Sequence, residues 1–266
     1  MNRSERLGHL INMVVEQGAV TIDEIVDQLE VSGATARRDL DMLAKQQLLI
    51  RTRGGARANS ATGDLPLRYR TSRQSGEKIR LAKAAVDLIK PGSTISLNGG
   101  TTMTELAFEL GIRSDQDERF QHDPVTVVTN AINIANDLTV RDNIRVVCTG
   151  GVARTRSYEL VGTLASLILP RINIDLAFFG FDGLSARDGF FTHNAEEAAI
   201  NQSMIVRAKQ VVAVGDHTKL AQTAFAKICD FSKVDHLLIG AGAAPEIYET
   251  LQRNGMATTV ILDNKE

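Results

Sequence analysis

Apolar residues recur at helical spacing in three short segments near the start of the chain. The first stripe consists of Leu7, Leu10, Ile11, Val14 and Val15. The second consists of Ile22, Ile25, Val26 and Leu29, and the third of Ala36, Leu40 and Leu43. Thr21 and Glu24 have the spacing of a capping box, and Ser32 is a candidate N-cap. The pattern predicts one helix ending at Gly18, a second beginning after Thr21, and a third from about Gly33 to Gln46.

The predicted third helix has a polar face opposite its apolar stripe. Small residues begin this face and two arginines follow, so the helix N-terminus can approach a phosphate while arginine reaches guanine. The candidate DNA contacts on this helix are Ser32, Gly33, Ala34, Thr35, Arg37, Arg38 and Asp41. Two short helices joined by a tight turn predict a helix-turn-helix. A three-helix bundle used for protein contacts is the alternative.

A strand and a glycine turn follow the third helix. Residues 48–53 are predicted to form the strand, Gly54-Gly55 the turn, and the chain then returns through Ala56-Arg57. A strand pair beside a recognition helix forms a wing, where Arg57 adds a further positive charge. The glycines are required if the turn takes positive φ or lies close to phosphates. The candidate DNA contacts on the wing are Arg51, Arg53, Gly54 and Gly55.

The remainder of the chain alternates apolar strand segments with helical patterns. The predicted strands are residues 94–97, 125–129, 144–148, 174–180, 210–215, 236–239 and 258–262. This alternation predicts a mainly parallel sheet covered by helices on both faces. In such sheets, ligands bind beyond the carboxyl ends of the strands.

Polar residues and glycines follow five of these strands in succession. The candidate effector contacts are Gly100, Thr101, Thr102, Thr129, Asn130, Gly150, Gly151, Asp182, Gly183, Glu196 and Lys219. Thr101, Thr102 and Lys219 suit a phosphate, because a glycine turn at a helix N-terminus and a lysine both favour anions. Asp182 and Glu196 suit sugar hydroxyls. Each of these residue types is also common in the turns between strands and helices, so the prediction rests on their combination.

The charge distribution favours DNA more than the net charge does. The net charge of the 266 residues is −2, which by itself argues against a nucleic-acid partner. Residues 31–83, however, carry 12 basic and 4 acidic side chains, whereas residues 1–30 carry 2 basic and 6 acidic ones. A basic segment within an acidic chain is typical of local contact with a polyanion, although a solvated charged face is the alternative.

Composition predicts a cytoplasmic protein with no membrane partner. No apolar stretch reaches the length of a membrane span, and the charged first residues lack a signal-peptide core. The two cysteines, Cys148 and Cys229, lie in or beside apolar runs without paired spacing. They are therefore predicted to be free core thiols in a reducing compartment, and neither a metal site nor a cofactor is expected.

The ordered motifs resemble those of the DeoR family of bacterial regulators of sugar metabolism. In the first domain they are Val31-Ser32, then residues 35–40 (TARRDL), then residues 53–56 (RGGA). In the second they are the glycine-threonine turn at 100–102, VVTN at 127–130, the glycines at 150–151 and 180–183, and Asp216 with Lys219. Ala36 stands where the family usually has isoleucine, and Asn98 where it often has aspartate.

The resemblance implies a repressor of sugar-metabolism genes that binds a double-stranded DNA operator as a dimer or tetramer and responds to a phosphorylated sugar. The sequence pattern predicts a winged helix-turn-helix over residues 1–57, a linker over 58–76 that is rich in Ala, Ser, Thr, Gly and Arg, and an effector-binding and oligomerisation domain over 77–266. The second domain is expected to be α/β and similar in fold to pentose-phosphate isomerases. A sugar-phosphate isomerase is the rival hypothesis, but residues 184–192 lack the Lys-Gly-Gly-Gly loop of those enzymes, so no catalytic residue is predicted.

Overall fold

The chain divides into two compact units, residues 1–73 and 74–266. The computed structural model describes residues 3–46, 48–58, 67, 75–253 and 255–261. Most of the linker predicted over 58–76 therefore lies outside the described residues, as do Leu262 at the end of the last predicted strand and the residues that follow it.

The first unit is a three-helix domain with a small antiparallel sheet. Its elements are α1 (Arg3–Gln17), β1 (Ala19–Thr21), α2 (Ile22–Leu29), α3 (Gly33–Lys45), β2 (Leu49–Arg51) and β3 (Gly55–Ala58). The sheet has the order β1-β3-β2. Thr21 forms the predicted capping box with Glu24, and the Ser32 side chain caps α3. The three predicted helices and the wing are confirmed, whereas β1 was not predicted.

The core of the first unit follows the apolar stripes of the sequence. Leu10, Ile25 and Leu40 are fully buried, and Ala36 is fully buried beside them. The prediction is wrong for Val15, which is 37% exposed. Val15 lies at the edge of the α1 stripe, about 80° round the helix from Leu7, so it turns away from the core.

The second unit is an α/β domain. Its helices are α4 (Ser75–Val86), α5 (Thr101–Gln116), α6 (Glu118–His122), α7 (Ile132–Thr139), α8 (Thr163–Ser166), α9 (Ala195–Val206) and α10 (Pro245–Arg253). Its strands are β4 (Thr94–Leu97), β5 (Val125–Thr129), β6 (Ile144–Cys148), β7 (Val152–Ala153), β8 (Leu160–Val161), β9 (Ile174–Phe179), β10 (Gly183–Ser185), β11 (Gly189–Thr192), β12 (Ala208–Gly215), β13 (Ala226–Cys229), β14 (His236–Gly240) and β15 (Thr258–Ile261).

The seven predicted strands form one parallel sheet. Its order is β15-β14-β12-β9-β4-β5-β6, with every neighbouring pair parallel. The chain begins the sheet at β4, adds β5 and β6 on one side, and then returns to add β9 on the other side of β4. The strand order therefore reverses between β4 and β9, and a crevice opens at such a point beyond the carboxyl ends. This confirms the predicted α/β class.

Two smaller sheets were not predicted from the sequence. Strands β10, β11 and β13 form an antiparallel sheet, and β7 pairs with β8. Phe190 in β11 packs edge-on against Phe179 and Phe181, with ring centroids 5.3 and 5.1 Å away. This aromatic cluster fixes the small sheet against the end of β9, beside the crevice.

The two cysteines lie in different surroundings. Cys229 is buried, as predicted, and burial raises the pKa of its thiol to about 12. Cys148 is exposed, so its prediction as a core thiol is wrong. It ends β6, an edge strand of the large sheet, where an apolar run does not require full burial.

Within the described ranges, no helix has both the length and the hydropathy needed to cross a membrane.

Candidate functional site

The residues predicted to contact DNA on α3 lie together at the start and on the outer face of that helix. Ser32, Ala34, Arg37, Arg38 and Asp41 are exposed, and Gly33 and Thr35 are half-buried. The Thr35 backbone N–H donates to Ser32 Oγ at 3.2 Å, and the two hydroxyl oxygens lie 3.0 Å apart. Neither Arg37 nor Arg38 forms an ion pair within the part of the chain that the structure describes. The helix therefore presents two exposed cations that lack a counter-ion in the described ranges.

The orientation of α3 is fixed by an ion pair with α1. Arg6 Nε donates to Asp39 Oδ2 at 2.7 Å, and Asp39 is 2% exposed. This hydrogen bond raises the pKa of the Arg6 guanidinium. Sequence reasoning did not single out Asp39 or Arg6, because the pair joins residues 33 positions apart. With Asp39 turned inward, its neighbour Arg38 faces solvent.

Two of the predicted DNA contacts bind each other. Arg51 Nε donates to Asp41 Oδ1 at 2.9 Å, and Arg51 Nη1 donates to the Gly55 carbonyl at 2.5 Å. Arg51 therefore connects the wing to α3. Its wing neighbour Arg53 is exposed and forms no ion pair with any described residue. Arg53 is thus more available to a phosphate than Arg51 is.

The glycine turn of the wing is required by close packing. A Cβ atom at Gly55 would lie 1.9 Å from the Val20 carbonyl oxygen, so the close approach of β1 excludes a side chain. Gly55 does not have positive φ. The carbonyl of Gly54 accepts from the Ile22 N–H at 2.9 Å, which joins the turn to the start of α2. Glycine at 55 therefore serves the fold, whether or not DNA also approaches there.

The candidate effector site begins where β4 and β9 end, at the reversal of strand order. Asn98 and Gly180 form a reciprocal pair: Asn98 Nδ2 donates to the Gly180 carbonyl at 3.1 Å, and Gly180 N–H donates to Asn98 Oδ1 at 2.8 Å. Asn98 thus holds the two strand ends together. Gly100, with φ of +105°, leads into α5 and has no side-chain cap, which leaves the amides of Thr101 and Thr102 at the open helix end.

The segment after β5 is held by β8 and its preceding loop. Asn130 is fully buried and its Nδ2 donates to the Leu160 carbonyl at 3.2 Å, while its Oδ1 has no hydrogen-bond partner among the residues that the structure describes. Thr129 Oγ1 accepts from the Ala131 N–H at 3.0 Å. From the same loop, Glu159 Oε1 accepts from the Gly99 N–H at 2.6 Å. These candidates therefore have structural partners as well as a place near the crevice.

Glycines at 150 and 151 follow β6. Both have positive φ, of +75° and +119°. A Cβ atom at Gly151 would lie 2.8 Å from the Val161 carbonyl oxygen, so this turn needs glycine in order to pack on β8. Gly183 is constrained in the same way by the Gln222 carbonyl at 2.8 Å. Packing therefore accounts for glycine at 151 and 183 without a ligand, whereas at Gly150 only the positive φ favours glycine.

A continuous chain of polar contacts crosses the region after β9. Lys219 Nζ lies 3.8 Å from Asp182 Oδ1, and Asp182 Oδ2 accepts from Thr192 Oγ1 at 3.0 Å. Thr192 Oγ1 is also 3.3 Å from Glu197 Oε2, and Glu197 Oε1 accepts from Arg154 Nη1 at 2.8 Å. The single Thr192 hydroxyl proton serves one carboxylate at a time. The site therefore combines two carboxylates with two cations.

Glu197, not Glu196, belongs to this chain of contacts. Glu197 is 7% exposed, whereas Glu196 is exposed at the first turn of α9. The sequence held a signal for this difference, because Glu197 shares one helical face with the buried residues Asn201 and Ile205. Thr192 and Arg154 were also missed; they lie in a short strand and a loop, where periodicity gives no information.

Comparison with known proteins places both units in one family. Residues 6–62 match the DeoR-like helix-turn-helix domain, and residues 73–240 match the DeoR C terminal sensor domain. The chain is 30% identical to the HTH-type transcriptional repressor GlcR of Bacillus subtilis, over 98% of this chain and 97% of that protein. It is 29% identical to the glycerol-3-phosphate regulon repressor of Escherichia coli K12, over 94% of this chain and 96% of that protein.

The comparison with solved structures also matches part of the chain to an enzyme. Ribose 5-phosphate isomerase from Methanocaldococcus jannaschii is 21% identical, covers 55% of each chain and has a TM-score of 0.41. A similarity at this level assigns neither a ligand nor an activity to this chain.

Proposed function

This chain belongs to the DeoR family of transcription regulators, and we propose that it represses sugar-metabolism genes and leaves its operator when a phosphorylated sugar binds the second unit. The observation that carries the proposal is the exposed face of α3, where Arg37 and Arg38 have no internal counter-ion among the described residues. Such a face suits the major groove, where arginine pairs with guanine. Related proteins named as repressors support the direction of regulation.

The wing supplies contacts that are independent of sequence in this proposal. Arg53 and Arg57 are exposed and suit backbone phosphates beside the groove that α3 enters. Arg51 has two possible roles in this proposal. It contacts DNA after leaving Asp41, or it stays bound to Asp41 and holds the wing in position for Arg53. Two copies of the chain in a dimer or tetramer would place two α3 helices in successive major grooves.

For the effector, we propose that the phosphate binds between the start of α5 and Lys219. The amides of Thr101 and Thr102 lie at a helix N-terminus, which favours an anion, and Lys219 adds a positive charge. A phosphate at Lys219 would compete with Asp182, and the released carboxylate could then accept sugar hydroxyls. Glu197 replaces Glu196 as the second acidic contact. One relative is named for a glycerol-3-phosphate regulon, which supports a phosphorylated ligand.

The second unit is proposed to sense its ligand without converting it. Asp182 and Glu197 both bind cations and share the Thr192 hydroxyl. A general base needs an available carboxylate beside a reacting C–H bond. Incubation with phosphorylated sugars for hours should therefore give no isomer above a heat-killed control; turnover that disappears in Asp182→Asn would favour the enzyme instead.

Selection of bound DNA tests the central part of the proposal. The full chain is incubated with fragmented genomic DNA, and bound fragments are sequenced. We expect enrichment of fragments upstream of sugar-metabolism genes, and their release by one member of a panel containing glycerol 3-phosphate, glucose 6-phosphate, fructose 1-phosphate and ribose 5-phosphate. The double variant Arg37→Ala/Arg38→Ala serves as the control for the DNA contact. Equal enrichment by wild type and this variant would contradict the assigned DNA face.

A further inference from the structure

A buried carboxylate on the first helix of the second unit binds the loop that contains Lys219. Glu77 lies in the first turn of α4 and is 7% exposed. Its Oε1 accepts from the His217 backbone N–H at 2.9 Å, and its Oε2 lies 2.9 Å from His217 Nδ1. The two residues are 140 positions apart. The contact therefore joins the helix at which the chain enters this unit to the turn after β12.

The Glu77–His217 pair occupies a position that two glycines keep open. A Cβ atom at Gly240 would lie 1.3 Å from Glu77 Oε1, and one at Gly242 would lie 2.4 Å from the His217 ring. Tyr248 holds the same segment, donating its hydroxyl hydrogen to the Gly240 carbonyl at 2.5 Å and accepting from the Ala243 N–H at 2.9 Å. The pair is fitted closely enough that displacement of one partner must move the other.

His217 and Lys219 belong to one short turn. The Lys219 N–H donates to the Asp216 carbonyl at 3.1 Å, and Asp216 Oδ1 accepts from the Thr218 N–H at 3.1 Å. Asp216 itself is buried. Lys219 and His217 are therefore held in one hydrogen-bonded turn.

We propose that the Glu77–His217 contact transmits effector binding from the 216–219 turn to the beginning of α4, and through it to the chain segment that leads to the DNA-binding unit. The inference rests on the proposed function for the identity of the effector. Glu77 and His217 act here as positioning residues: neither contacts DNA or the phosphate in this account. Coupling of this kind is established only by measuring how two perturbations interact.

A double-mutant cycle read by hydrogen exchange tests the contact without requiring any ligand. Exchange is measured over 77–86 and 212–220 in wild type, Lys219→Ala, Glu77→Gln and the double variant. We expect Lys219→Ala to change the exchange rate in 77–86 by at least about twofold in the wild-type background. That change should disappear in the Glu77→Gln background. An equal change in both backgrounds would overturn the proposal.

Two further variants test whether the effect depends on the Glu77–His217 contact itself. His217→Asn breaks the imidazole contact while leaving the backbone N–H, so it must reproduce the Glu77→Gln result if the contact carries the effect. Asp87 lies just beyond α4, and its carboxylate binds Arg113 and not His217. Asp87→Asn should therefore leave the result of the double-mutant cycle unchanged. Thermal unfolding of all variants identifies any that lose the fold. If either Glu77→Gln or His217→Asn does not fold, the cycle with the other variant decides whether the contact carries the effect.

Operator release gives the second readout. Wild type and Glu77→Gln are compared for operator affinity, for binding of glycerol 3-phosphate and the other panel members, and for release of operator by them. The expected result is unchanged affinity for both partners but a loss of release by about fivefold or more in Glu77→Gln. If no panel member releases wild type, the proposed function fails while the exchange cycle still decides the coupling. Equal release by wild type and Glu77→Gln would contradict the inference.

Discussion

Three candidate DNA-binding arginines of the first unit and two cations of the second unit stand in different electrostatic surroundings. In the first unit, Arg37, Arg38 and Arg53 face solvent and form no ion pair with any residue in the described ranges. In the second, Lys219 lies beside Asp182 and Arg154 binds Glu197. The first arrangement is ready for a polyanion without rearrangement. In the second arrangement, each of the two cations already has an internal carboxylate as a partner.

This difference suits the two tasks. DNA binding gains from exposed cations because release of counterions drives association, whereas internal carboxylates would weaken it. Under the proposed function, a phosphorylated sugar brings an anion to Lys219 and hydroxyl groups to Asp182, which lie beside each other. Inorganic phosphate lacks the sugar hydroxyls and an unphosphorylated sugar lacks the anion, so the proposal expects both to bind more weakly.

The largest effect is expected from the exposed arginines of α3. Arg38→Ala should weaken operator binding by about 1–3 kcal/mol if its side chain reads a base edge, and Arg37→Ala should have a loss in the same range. Fluorescence anisotropy with operator and random duplex measures both affinities. Arg187→Ala, an exposed change in the second unit, is the matched control. Operator affinity unchanged in both α3 variants would remove α3 from the DNA interface.

The next effect is expected at Lys219. Lys219→Ala should weaken a phosphorylated sugar by about tenfold or more, because a hydrogen bond to a charged group contributes roughly 1.5–3 kcal/mol. The matching unphosphorylated sugar should bind the variant and wild type with similar affinity. Titration calorimetry measures both, and Lys209→Ala, which removes an exposed lysine paired with Asp175, is the control. An equal loss for both sugars would place the phosphate elsewhere.

A smaller effect of a different kind is expected on the wing. Arg53→Ala should weaken operator and random DNA alike and reduce the slope of log affinity against log salt by about one. Arg53 is exposed and has no ion-pair partner among the described residues, so it suits a backbone phosphate, which carries no sequence information. Binding measured between low and moderate salt gives the slope. A variant that loses affinity only for the operator would make Arg53 a base-reading residue.

The smallest effect is expected from the pair that joins the wing to α3. Asp41→Ala releases Arg51 and removes a negative charge from the DNA face, so we expect tighter binding to any duplex by less than about 1 kcal/mol. Stability should change within a similar range, because Asp41 has a 59% exposed side chain. Anisotropy and thermal unfolding measure the two quantities. Weaker operator binding would indicate that Asp41 contacts DNA or that Arg51 must remain where it is.

Local pattern predicted the helices and the seven-stranded sheet, because helical stripes and buried apolar strands depend on neighbouring residues. It could not predict β1 or the β10-β11-β13 sheet, whose strands have three or four residues and gain stability only by pairing with distant segments. The positions after the strands predict an effector site at that edge of the sheet, but side-chain pairing did not follow from them. The Arg51–Asp41 pair and the Arg154–Glu197 pair depend on packing within each unit, which local pattern does not reveal.

Release of a labelled operator by a phosphorylated sugar, compared between wild type and Lys219→Ala, tests the contrast between the two units most directly. The account predicts equal operator affinity for both proteins without ligand, since the open cations of α3 are untouched. It predicts release of wild type by the phosphorylated sugar alone, and about tenfold or more ligand for the same release of Lys219→Ala. Release of both proteins at the same ligand concentration would contradict it, as would a loss of operator binding in Lys219→Ala before any ligand is added.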